Sequence, residues 1–172
     1  MKHRFVLTVG TLALALSVAG TAQAQHKRCD TKTLEGSWAY TETGTIVLPT
    51  TPPTPAPTVA VGRYTFDRDG TLTAIQWAST LMNPPGVYGT KTGTYTLNDD
   101  CTFTMEINGY DALGNLVRDS EWQIVLADNG REMRGISLKL LFSPTPPAAP
   151  YMDLKPVLTM TATPTRDKGD GR

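Results

Sequence analysis

Two residues stand where they could do chemistry: Glu42 and Tyr40. Both lie in a strand-like stretch and share two-residue parity with Trp38, so all three belong on one face of that strand. A carboxyl turned into an apolar cavity has its pKa raised and can serve as acid or base. Glu42 is therefore the candidate base, with Tyr40 beside it. Glu106 and Glu121 also fall on strand-like stretches, as do Tyr64 and Tyr95. Glu106 alternates with Phe103, Met105 and Ile107, so it is expected to point outward.

Other chemistries lack their residues. A Ser-His-Asp triad needs a histidine base in a pocket. The chain has His3 and His26, both in its N-terminal segment. No H-E-x-x-H, Cys/His cluster or Gly-rich phosphate loop is present, so no metal or cofactor is expected. Lys and Arg number 16, as do Asp and Glu, and no basic run stands out, so nucleic acid is not an expected partner.

The N-terminus suggests a compartment. Lys2, His3 and Arg4 are followed by an apolar run from Phe5 to Ala19, then Ala22-Gln23-Ala24. This is the layout of a cleaved secretory signal peptide, residues 1–24, and places the chain in a periplasm or outside the cell. The run is shorter than the roughly 20 residues a membrane span needs. In an oxidising compartment Cys29 and Cys101 are expected to form one disulfide.

Helix signals are almost absent from the rest. Thr, Val, Tyr and Gly dominate, and turn residues recur every ten or so positions, which reads as all-β. The expected fold is an antiparallel up-and-down barrel of about eight strands, filling one domain over residues 25–165. The strands are placed at 34–48, 59–67, 71–82, 87–98, 102–108, 116–127, 132–142 and 154–163. Residues 166–172, charged and Gly-rich, read as a disordered tail.

Short and long connections alternate. Asp67–Gly70, Asn98–Asp100 and Asp128–Gly130 are tight. The connections at 49–58, 83–86, 109–115 and 143–150 are longer, two of them rich in proline. In a meander this puts the tight turns at one end and the long loops at the other, as in a cup with a closed floor. Both cysteines belong to the floor. Residues 49–58 read as a stiff lid over the mouth. Tyr88, Tyr110, Leu113, Tyr151 and Met152 are the expected ligand-binding residues there, with Val87 beside them.

Leu34-Glu35-Gly36-Ser37-Trp38 resembles the G-x-W entry of lipocalins and their calycin relatives. The resemblance implies an eight-stranded barrel whose closed end is plugged by Trp38. Gly62–Asp67 with Asp69-Gly70, and Gly93–Asn98 with Asp100–Thr102, resemble a group of small secreted bacterial barrel proteins. The lipocalin T-D-Y motif is replaced by Asp128-Asn129-Gly130.

Three readings of function follow. The first is a secreted barrel that holds a small apolar or amphipathic molecule at its long-loop end. The second is a cofactor-free isomerase or cyclase working in an apolar cavity. The third is a structural or surface-interaction protein with a filled barrel.

Overall fold

The computed structural model describes residues 29–80, 83–143 and 152–165. The expected signal peptide at 1–24, the expected tail at 166–172 and Tyr151 lie outside the described residues. The elements are a one-turn helix α1 (Thr31–Leu34) and strands β1 (Gly36–Leu48), β2 (Thr54–Phe66), β3 (Thr71–Thr80), β4 (Asn83–Leu97), β5 (Thr102–Tyr110), β6 (Leu116–Ala127), β7 (Glu132–Phe142), β8 (Met152–Asp153) and β9 (Lys155–Pro164). A 3-10 turn, Asp128–Gly130, joins β6 to β7.

Each strand from β1 to β7 pairs antiparallel with the next. The last strand, interrupted at Leu154, pairs with β7 through β8 and β9. β9 also pairs with β1, from Trp38–Pro164 to Val47–Lys155, and this closes the sheet. The fold is thus a closed eight-stranded antiparallel barrel, and closure leaves no long unpaired edge.

Period-two alternation decides which side chains enter the barrel. On β5, Phe103, Met105 and Ile107 are buried and Glu106 is exposed, as the pattern implies. On β6, Trp122, Ile124 and Leu126 are buried together. Towards the closed end the interior is packed with rings: Tyr40 stacks on Tyr64 at 4.3 Å, and Phe66 meets Tyr95 edge-on at 5.3 Å. Gly62, opposite Tyr40 on β2, makes room for the stack; a Cβ there would meet the Tyr40 ring at 2.7 Å.

Cys29 and Cys101 are bonded across this end. The lead between Cys29 and β1 crosses the floor as α1, so Leu34, expected to open the first strand, ends a helical turn instead. Asp30 caps the helix by accepting from the Thr33 N–H at 3.2 Å. Leu34 is fully buried, and the Trp38 indole N–H donates to its carbonyl at 2.8 Å. This apolar plug and the disulfide close the barrel at the tight-turn end.

Two connections differ from expectation. Thr54–Phe66 is one continuous strand, so the supposed lid at 49–58 is half strand. Among the described residues its segment Thr54–Pro57 pairs with β1, and Ala56 within it is buried. Proline is tolerated there because such an edge does not require every N–H. Likewise Asn83 pairs with Thr80 at the start of β4, so the stretch at 83–86 extends a hairpin. The connection at 144–150 lies outside the described residues.

Candidate functional site

Three charged side chains from three strands meet inside the barrel. Glu42 comes from β1, Lys91 from β4 and Arg118 from β6. Arg118 Nη2 donates to Glu42 Oε1 at 2.8 Å, and Lys91 Nζ donates to Oε2 at 3.4 Å. Lys91 also lies 3.4 Å from the Tyr64 hydroxyl, with its ammonium 5.0 and 5.5 Å from the ring centroids of Tyr40 and Tyr64. The Tyr40 hydroxyl donates to Gln76 Oε1 at 3.3 Å. Lys91 and Glu42 are almost wholly out of solvent, whereas Arg118 keeps a small exposed edge.

Alternation explains the meeting. Glu42 follows Trp38 and Tyr40 inward on β1. Lys91 has the parity of Tyr95 on β4, and Arg118 has that of Ser120 and Trp122 on β6. Burying ions costs free energy that only close partners offset. Lys91 gains further from the electron-rich faces of two rings.

The electrostatics reverse the expectation for Glu42. Burial pushes its carboxyl up, but Arg118 and then Lys91 outweigh this and bring it down to about 2. Burial also brings the Lys91 ammonium down, to about 8; Glu42 supports its charge while Arg118 opposes it. Both members of the Glu42–Lys91 pair thus shift downward. The asymmetry is physical: one carboxylate serves two cations, so the anion is over-supported and the weaker cation under-supported. Burial raises both Tyr40 and Tyr64 as well, so each stays a neutral phenol.

Above this ionic layer the barrel is hollow. A cavity of about 220 Å³ opens towards the end opposite the disulfide. Glu42 and Arg118 form part of its lining, and Ile46, Ala60, Leu140 and Leu158 are among its apolar walls. The interior is therefore packed with rings below the ions and open above them.

The expected ligand-binding residues separate. Tyr110 and Tyr88 both border the cavity. Tyr88 nevertheless has outward parity, and its ring lies 5.5 Å from that of Trp77, both more than 40% exposed. Leu113 is 87% exposed on the loop after β5 and is not part of the lining. Met152 packs against the core without lining the cavity. Sequence reasoning missed Lys91 and Arg118, although their parity with buried aromatic neighbours was readable.

These features define a closed antiparallel barrel with a blind end and a pocket floored by ions. No protein-family model and no curated protein matches the chain. Among solved structures, EF1p2_mFAP2b bound to DFHBI is similar at 14% identity and a TM-score of 0.45, over 81% of this chain and 98% of that one. The S-type phycobiliprotein lyase CPES from Guillardia theta is similar at 10% identity and a TM-score of 0.46, over 83% and 97%. Rv2717c from M. tuberculosis is similar at 15% identity and a TM-score of 0.38, over 78% and 94%. Likeness at this level assigns neither ligand nor chemistry.

Proposed function

We propose that this protein is a secreted carrier or receptor for a small amphipathic molecule, held in the open half of its barrel. The observation that carries this reading is the cavity itself: apolar walls above a polar floor, in a barrel otherwise tightly packed. Its volume is below the roughly 300–1,000 Å³ common for drug-sized ligands, which fits a small molecule or the inserted end of a longer one. The disulfide, and the signal-like N-terminus, support a place in the periplasm or outside the cell. Among the described residues no helix is long and apolar enough to cross a membrane.

The isomerase or cyclase alternative draws less support. Glu42 is ionised, bonded through both oxygens and down at about 2, which makes it a poor base at neutral pH. The surface-interaction alternative is favoured by one observation. Val61, Trp77 and Tyr88 are cross-strand neighbours on the outer face and are all exposed. Under that alternative, Trp77→Ser abolishes capture of a protein partner and leaves small-molecule binding unchanged.

A plug tests the pocket reading. Ala60 lines the cavity from β2. Ala60→Trp should fill it and abolish uptake of a neutral apolar dye that the unaltered chain binds, with the far-ultraviolet circular dichroism spectrum unchanged. Equal uptake by a folded Ala60→Trp chain would place binding elsewhere.

A further inference from the structure

We infer that the molecule held in this pocket is a small amphiphilic anion whose carboxylate docks against Arg118. The inference rests on the pocket reading above and names the head group. Three observations support it. First, the ionic layer is unbalanced: among the described residues one carboxylate, Glu42, is shared by two cations, Lys91 and Arg118. Second, Arg118 Nε is buried and has no hydrogen-bond partner among the described residues. A buried guanidinium donor left unpaired is costly, and a carboxylate is the partner its planar edge fits best. Third, Arg118 lines the cavity and its side chain stays 13% exposed, so a ligand can reach the guanidinium beside the buried Nε.

The rest of the pocket agrees. Ile46, Ala60, Leu154 and Leu158 offer apolar surface to a short chain above the head group. A second acidic residue, Asp111, also lines the cavity, on the loop after β5. Its carboxylate accepts from the Leu113 and Asn115 N–H groups and from Asn115 Nδ2, each at 2.9 Å, which offsets its charge locally. Among the described residues no ion pair joins it to the Lys91–Glu42–Arg118 cluster. Lys91 lies behind Glu42 and does not line the cavity, so it contributes field and not contact.

The test is a calorimetric titration of the intact, disulfide-bonded chain at pH 7 with octanoate, 1-octanol and octylamine. Octanoate should bind at least tenfold more tightly than the alcohol, and the amine more weakly than the alcohol. Arg118→Met should bring acid and alcohol to equal affinity, and Arg118→Lys should restore only part of the preference. Equal binding of acid and alcohol by the unaltered chain would overturn the head-group assignment and leave the pocket reading standing. Binding of none of the three would overturn both. Should Arg118→Met fail to fold, octanoate carrying a ¹³C carboxyl gives a second reading on the unaltered chain. Its bound carboxyl should stay ionised at a pH where the free acid is protonated; a bound carboxyl that titrates like the free acid would overturn the assignment.

Discussion

Glu42 and Arg118, 76 residues apart in sequence, meet at 2.8 Å in the middle of the barrel, and the same carboxylate also holds Lys91. Removing the shared anion leaves two buried cations facing each other. Glu42→Gln should therefore destabilise the fold by about 3–5 kcal/mol, the range for breaking a buried ion pair. Lys91→Met should cost less, because Glu42 keeps Arg118. Combining the two should recover part of the Glu42→Gln loss. Urea unfolding of the three variants checks the order.

The same cluster sets a pH dependence with two limbs. The Glu42 carboxyl has an ordinary value of 4.5 and sits at about 2 in the fold. Its contribution to stability is present above about 4.5 and is lost as pH falls towards 2. Lys91 acts in the other sense. Its ammonium drops from 10.5 to about 8 on folding, so its charge is a burden below pH 8. That burden is relieved between about 8 and 10.5, where the unfolded chain binds more protons than the folded one. Over this interval the native chain should gain stability relative to Lys91→Met. Denaturant midpoints of both at pH 7 and pH 10 measure the difference; a constant difference would contradict the lowered value.

The disulfide closes a loop of 72 residues across the floor. On the chain-entropy argument its reduction should cost roughly 3–5 kcal/mol. The strands should persist, because the sheet closes on itself and the ring-packed core lies within it. Denaturant unfolding with and without reductant, followed by circular dichroism, tests both halves of the statement.

Leu34 anchors the crossing segment. It is fully buried above Trp38, whose indole N–H bonds to its carbonyl. Leu34→Ala should destabilise by about 2–5 kcal/mol, as for other buried leucines. It should also raise quenching of Trp38 fluorescence by acrylamide, read in a chain lacking Trp77 and Trp122.

Alternation made the barrel legible. The bounds of β6 and β7 are those the sequence implied, and Phe103, Met105 and Ile107 enter the core as their spacing requires. The Pro-rich stretch misled because proline argues against a strand, yet Thr54–Pro57 pairs in register with β1 and, among the described residues, is bonded on that side only. The ionic layer was half legible. Parity turned Glu42 inward, but the sign of its pKa shift depends on partners 49 and 76 residues away. Lys91 and Arg118 share the parity of buried neighbours; the general exposure of strand charges hid them. Whether the barrel was hollow or filled could not follow from alternation, because both interiors obey the same pattern.

The open half of the barrel should act as a binding pocket. Native mass spectrometry of the protein purified from its own host, without denaturation, tests it most directly. A species heavier than the chain by one small organic molecule is expected, and it should be absent for Ala60→Trp. A chain that emerges at its bare mass, whether or not the cavity is plugged, would contradict it.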